Sequence, residues 1–298
     1  MPTTAPSYQT LLTTKDKSFL EKPATGLYSL TLCIGDTDMG ICCIEQTTHR
    51  CRLLETYSLA APNTSVTALK KLYKQQPWLA TTTWGHVMLC VKNRHYTLVP
   101  HELFVAECAD SYLQWAAPVD DTIQVTYLPH HRLDVAVAFG LPKPLLAWFN
   151  KVYKNRNVCI MHQSSSLLAS VFGYLAAEPN TDLPQLFVFV DGSYMHVLCV
   201  AGHRLLYCNQ FCCDAMERAV RYVLIVIHTL GLPVDTTAVT LMGSVKKNAW
   251  LHAKLSSYLP MVVVKNMTRH VKCSRSIPKT VAMEHPDLLS AHLHTQFL

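Results

Sequence analysis

The stretch Leu186–Phe211, reading LFVFVDGSYMHVLCVAGHRLLYCNQF, leaves this chain few ways to fold. Two apolar runs close on Asp191-Gly192-Ser193-Tyr194, and a second turn at Ala201-Gly202-His203 leads into a third run. Asp-Gly between β-rich segments marks a hairpin, because glycine accepts the positive φ that a primed turn requires. The three runs therefore predict a β-meander. A helix follows at once, with Asp214 at the N-cap position and Glu217 completing a capping box. Met216, Ala219, Val220, Val223, Leu224, Ile227 and Leu230 recur at helical spacing until Gly231 and Pro233 end the run.

Composition narrows the class. Half of the 298 residues are hydrophobic and only 15% are charged, which excludes wholesale disorder and allows one large domain or two lobes. The longest apolar stretch, near Tyr222–Leu232, is too short for a membrane span. The N-terminus lacks a basic region followed by an apolar core, so the expectation is a soluble, cytoplasmic chain. The net charge of +6 is dispersed. Lys70, Lys71 and Lys74 read as a solvated helix face, Lys265, Arg269, Lys272 and Arg275 as a basic tail, and no nucleic-acid motif is present. The 12 cysteines form no Cys-x-x-Cys pair, and Cys33, Cys42, Cys90, Cys159 and Cys199 fall inside strand-like runs as small buried hydrophobes. His130-His131 and His292-x-His294 lack zinc-site spacing. No metal site is expected.

Along the chain, residues 1–26 read as a polar, loosely attached arm. Strands are predicted at Leu27–Ile34, Gly40–Glu45 and Arg50–Ser58. Asn63 caps a helix carrying Val66, Leu69, Leu72 and Tyr73, and His86–Val91 is a strand. Pro100 opens a helix whose inward stripe is Phe104, Cys108, Tyr112 and Trp115. A hairpin over Thr122–Leu128 and Arg132–Phe139 precedes a helix from Pro142, then a strand near Asn157–Met161. Ser164-Ser165-Ser166 lead the next helix and read as a cap for its orphan amides rather than a phosphate cradle. Ala176–Pro184 is the linker. Beyond the meander come a strand at Val239–Met242, a helix near Lys247–Tyr258, a strand at Met261–Val264, and a tail with one short helix near Pro286–His294.

Both halves thus run meander, helix, strand, helix, strand, without shared residues. That order predicts an α/β chain of duplicated actin-like (ribonuclease H-like) lobes, with mixed sheets flanked by helices and a cleft between them. The expected divisions are an arm at 1–26, a first lobe at 27–178, a second lobe at 179–264 and a tail at 265–298.

On YTLVPHELF at Tyr96–Phe104, HRLLYCNQF at His203–Phe211 and VTLMGSV at Val239–Val245, the chain resembles an uncharacterised bacterial family, a domain of unknown function with the actin-like (sugar kinase, Hsp70, actin) fold. Its second half is also similar to the pilus-assembly protein PilM and the cytoplasmic part of the type II secretion L protein. The resemblance implies two phosphate hairpins of the form Asp-x-Gly-[Ser/Thr] and a glycine-rich adenosine loop. The first hairpin here has Cys33 two residues before Gly35, where Asp belongs. The second keeps Asp191, but its turn, Gly192-Ser193, is one residue short. The adenosine loop is only Met242-Gly243-Ser244, and Gly231 passes to Ala238 without the insertion that walls the adenine pocket. The resulting expectation is a non-enzymatic interaction or scaffold module with a degenerate nucleotide cleft. It has no cofactor, no catalytic or metal residue, and an unidentified protein partner. The alternative is an ATP-binding ATPase or switch using Asp36, Asp38, Asp191, Gly192, Ser193, Gly243 and Ser244. The bland reading of these residues is turn chemistry alone, since neither Asp-Gly nor Gly243 needs a ligand to explain it.

Overall fold

The structure, a computed structural model, describes residues 7–16, 19, 26–61, 64–81, 84–154, 156–178, 182–243 and 245–297. Strand β1 (Tyr8–Lys15) precedes a meander of β2 (Tyr28–Ile34), β3 (Asp38–Glu45) and β4 (Arg50–Leu59). Helices α1 (Ser65–Gln75) and α2 (Pro77–Thr81) lead to β5 (His86–Val91). A separate small sheet follows, from β6 (Tyr96–Pro100), helix α3 (Ala109–Ala116), β7 (Ile123–His130) and β8 (Val135–Pro142). Helix α4 (Lys143–Tyr153), β9 (Val158–His162) and α5 (Gln163–Leu175) close the first half. The second half runs β10 (Gln185–Asp191), β11 (Tyr194–Ala201), β12 (Arg204–Cys212), α6 (Met216–Thr229), β13 (Ala238–Met242), α7 (Val245–Leu255) and β14 (Val262–Val264). Then come β15 (Lys272–Cys273), α8 (Lys279–Met283), α9 (Pro286–Ser290) and α10 (His294–Phe297).

The two large sheets repeat one strand order. In the first it is β4-β3-β2-β5-β9, extended by β1, with β15 also on β4; in the second it is β12-β11-β10-β13-β14. Each begins as an antiparallel meander and then adds two parallel strands, β5 and β9 or β13 and β14. Parallel neighbours require a crossover, which α1–α2 and α6 supply. The central strand β2 is buried at every position, as expected for a parallel strand covered on both faces. Positive φ at Gly192 (58°) and Gly202 (59°) makes the two tight turns of the predicted meander.

Helix α5 is buried from Gln163 through Tyr174. Its Leu167, Leu168, Val171 and Phe172 pack with Phe187, Phe189, Leu198 and Met242 of the second sheet. A helix buried all round belongs between layers, and its polar residues Gln163, Ser164, Ser165, Ser166 and Ser170 are buried with the rest. One face of the first sheet packs with α1 and α4 through Leu30, Leu32, Leu69, Leu72, Leu145 and Phe149. The other face, with Cys33, Cys42, Met88 and Cys90, is covered by Ile277, Leu288, Leu289 and Ala291 from the C-terminal segment.

Several expectations need correction. The polar arm contains β1, an antiparallel edge strand on β4, with Lys15 2.7 Å from Glu55 and Phe19 buried. Its side chains are largely exposed, so backbone pairing holds it and the sequence carries no alternation. The C-terminal tail is a packed segment: Leu288, Leu289, Ala291 and Leu293 are all buried. Its helices are too short to show a period. The helix expected from Pro100 begins at Ala109, after two 3-10 turns, and buries Ala109 and Leu113. Trp115 is 88% exposed and Cys108 is exposed, because α3 seats its smaller face. Helix α6 starts at Met216 with Ala215 as N-cap and no side-chain cap, while Asp214 pairs with Arg218 at 3.0 Å. The N-cap of α5 is His162, whose ring accepts from the Ser164 N–H, and all three serines are buried. Asn63 and residues 179–181 of the linker lie outside the described residues.

Candidate functional site

The equal strand order brings the ends of β2, β5, β10 and β13 together, and Lys92, one residue past β5, stands at their meeting point. Its Nζ lies 2.5 Å from Asp38 Oδ2, at the start of β3, and 2.7 Å from Asp191 Oδ2, at the end of β10. The two meanders thus share one ammonium. Gly243 occupies the matching position one residue past β13.

Gln163, the first residue of α5, ties this pair to the C-terminal segment. Its amide nitrogen donates to Asp191 Oδ2 and to Asp287 Oδ2, each at 2.7 Å, and its carbonyl accepts from His196 Nε2 at 3.0 Å. Asp287, near the start of α9, accepts at its backbone carbonyl from the Ser166 hydroxyl. Its Oδ1 accepts from the Leu288 N–H at 2.9 Å. The Cys33 thiol lies 3.9 Å from Asp287 Oδ2. The carboxylate that the first hairpin lacks at Cys33 therefore comes to the same place from far along the chain.

Electrostatics follow from this packing. Burial opposes the charge on Lys92, but Asp191, Asp38 and Asp287 outweigh it and hold its pKa well above the ordinary lysine value. Burial likewise opposes ionisation of Asp191, yet the Lys92 ammonium and the bonds from Lys92 and Gln163 hold it at about 2. For Asp287 burial prevails: its pKa is raised, with Lys92 opposing and Asp191 adding to the rise. Burial lowers His196 to about 4 and His162 to about 3, so both are neutral near pH 7.

Little room remains. The cavity bordered by Asp38, Tyr57, Lys92, Asp191, Asp287 and Leu288 measures about 180 Å³. Small-molecule sites usually need about 300–1,000 Å³. Leu288 of α9 closes it against Gly40, where an added Cβ would stand 2.9 Å from Leu288 Cδ2. Among the described residues, no group of three or more His, Cys, Asp or Glu is arranged to hold a metal ion.

Of the residues singled out from sequence, Asp38 and Asp191 meet at Lys92. Asp36 is exposed at the hairpin tip. Gly192 turns with open space around it, and the Ser193 carbonyl accepts from the Cys213 N–H at 2.6 Å. Gly243, at φ 92°, is pressed against the Phe189 ring, with the Glu284 carbonyl 3.9 Å from where a Cβ would be. Ser244 lies outside the described residues. Residues 230–237 join α6 to β13 through a turn on the Pro233 carbonyl, leaving no inserted unit there. Sequence reasoning missed Lys92, Gln163, His196 and Asp287. Lys92 had a usable signal, a lone cation directly after the apolar run His86–Val91. Asp287 had none, since its partners are all remote in sequence.

Solved structures with this architecture place the chain in the actin-like fold. A Bacteroides thetaiotaomicron protein with actin-like ATPase fold and unknown function is 18% identical, with a TM-score of 0.70 over 83% of this chain and 93% of that one. A chain of the PilM-PilN type IV pilus biogenesis complex is 14% identical, with a TM-score of 0.58 over 90% of this chain and 98% of that one. The cytoplasmic domain of EpsL, an inner membrane component of the type II secretion system of Vibrio cholerae, is 10% identical. It covers 88% of this chain and 95% of that one, with a TM-score of 0.41. No curated protein matches the sequence. The family model described as "Protein of unknown function (DUF3822)" matches residues 17–262, and the chain belongs to that family.

Proposed function

We propose that this member of the DUF3822 family is a non-enzymatic actin-like module that acts through protein–protein contact, its nucleotide cleft closed from within. One observation carries the reading: the Lys92 ammonium already joins Asp38 and Asp191, where phosphate hairpins would otherwise meet a magnesium nucleotide. A metal–phosphate ligand would have to break that partly exposed ion pair, at about 2–4 kcal/mol, and also displace α9. On affinity arithmetic that offsets about 1.5 to 3 decades of binding. The fold likeness to a chain of a two-protein pilus complex supports a binding role, and the partner is a protein. In this reading 27–178 and 179–264 are the two lobes, and 1–26 and 265–298 are flanking segments. No described helix is long and apolar enough to cross a membrane, and the free thiols suit a reducing cytoplasm.

Calorimetric titration of the full chain with ATP and Mg²⁺ tests this. The expected result is no binding heat below millimolar nucleotide. A dissociation constant in the low micromolar range, abolished by Asp191→Ala, would replace the scaffold reading with the ATPase or switch alternative.

A further inference from the structure

A second, roomier cavity lies away from Lys92, between the small sheet and the second large sheet. It measures about 580 Å³ and is bordered by Arg94–Leu98 of the β6 region and Cys208–Cys212 of β12. Both strands are sheet edges: among the described residues β6 pairs only with β8, and β12 only with β11. The register shows which backbone groups are free. The Gly140 N–H bonds the His95 carbonyl and the His101 N–H bonds the Asp134 carbonyl, so His95, Thr97 and Val99 turn their peptide groups toward β8. Leu98 therefore turns its N–H and carbonyl away from the sheet. On β12, the Cys213 N–H bonds the Ser193 carbonyl, so Phe211 and Asn209 face β11 while Cys212, Gln210 and Cys208 face outward. The Gln210 N–H is taken by its neighbour's side chain, Asn209 Oδ1, at 2.8 Å, which fits an edge amide with no strand beside it.

Unprotected edges of this kind are normally blunted by charge. Neither Tyr96–Val99 nor Tyr207–Cys212 contains a charged residue. A second observation points to a ligand. Tyr96 borders the cavity, is only 7% exposed, and its buried hydroxyl has no hydrogen-bond partner among the described residues. The charge at the cavity is one-sided: Arg94 and His95 border it, and no carboxylate does.

We infer that this groove receives an extended segment of a partner protein, which adds a strand along β6 and β12 and sets an acidic side chain against Arg94. Strand addition draws its affinity from backbone hydrogen bonds and its selectivity from the flanking side chains. The inference rests on the interaction-module reading and names the surface that module uses.

The test is selection of a random displayed heptapeptide library on the full chain in reducing buffer, followed by work with the synthetic form of the recovered peptide. Expected are peptides carrying Asp or Glu, micromolar binding, and amide exchange at Leu98, Cys208 and Cys212 slowed at least about tenfold. Cys212→Pro removes an outward N–H that the β11 ladder does not use, at an exposed position, and should weaken binding about tenfold or more. Arg94→Glu, an exposed substitution, should reverse the preference from acidic to basic peptides. Recovery of no binder, unchanged affinity in both variants, or protection confined to other segments would overturn the groove. Protection elsewhere with a flat nucleotide titration removes the groove and leaves the scaffold reading standing. Tight nucleotide binding removes the scaffold reading whatever the peptides do.

Discussion

The Lys92 ammonium and the Asp191 carboxylate form a 2.7 Å ion pair between the first and second sheets. Asp38 Oδ2 joins the same nitrogen at 2.5 Å, and Gln163 links Asp191 to Asp287. A fixed cation just past the end of β5 thus balances carboxylates from both meanders. Because each partner ends or begins a different strand, the pair couples the sheets to each other and to the C-terminal segment.

Removal of the cation should cost stability. Lys92→Met leaves Asp38 and Asp191 facing each other uncompensated. The expected loss is about 2–4 kcal/mol, below the ~3–5 of a fully buried pair because Asp38 is 38% exposed. Asp191→Ala should also destabilise, by about 2–3 kcal/mol, since it strips an acceptor from both Lys92 and Gln163. The effect is larger than the turn-residue reading of Asp191 implies. Urea denaturation at pH 7.5 measures both, and losses under about 0.5 kcal/mol would show the pair to be well solvated.

The C-terminal segment should behave as core. Leu289 is fully buried, so Leu289→Ala is expected to cost about 2–4 kcal/mol. Gly40→Ala would drive a methyl into Leu288 and should cost about 1–3 kcal/mol by overpacking. Thermal unfolding of the two variants checks this, and wild-type midpoints for both would mean that α9 is not seated on β3.

Acid should destabilise the fold before the Lys92 pair titrates. Burial lowers His130, His196 and His270 to about 4 and His162 and His292 to about 3. These rings are neutral in the fold, while the unfolded chain takes up protons below about pH 6.5. Their contribution is therefore complete above pH 6.5 and is lost as pH falls toward 4 and 3, by up to about 1.4 kcal/mol per pH unit for each ring. Asp191, held at about 2, keeps its contribution until pH drops below the ordinary carboxylate range. Urea midpoints at pH 7.5, 6.0 and 5.0 should fall in that order. A flat series would contradict neutral burial.

Thiol reactivity should separate by position. Cys108 and Cys212 are exposed, whereas Cys33, Cys42, Cys43, Cys51, Cys90, Cys199 and Cys213 are buried. Burial pushes Cys199 up to about 11 and Cys208 up to about 12, which lowers their thiolate fraction further. Native alkylation followed by mass spectrometry should label Cys108 and Cys212 first. Rapid labelling of the seven buried thiols would show that the sheets open readily.

Much of the architecture was legible because its cause is local. Asp191-Gly192 and Gly202 set the meander turns, and the apolar character and length of the runs between them set β10, β11 and β12. Helical spacing likewise marked Ala219, Val223 and Ile227, which are buried on α6. The order of elements in each half, repeated without shared residues, pointed to duplicated lobes. What stayed hidden depends on distance in sequence. Strand β1 shows no alternation because it is held by backbone pairing with its side chains mostly in water. Leu288 and Leu289 look like part of a tail until the first sheet offers them a face. Lys92, Asp38, Asp191 and Asp287 come from four separate segments, and no spacing rule connects them. Apart from β1 and the short β15, the strands of the large sheets, their turns and their repeated order could be read from the chain alone, since these follow from local apolar runs and glycine geometry. What stands in the cleft follows from folding, because charge neutralisation and burial act between residues that the fold alone brings together.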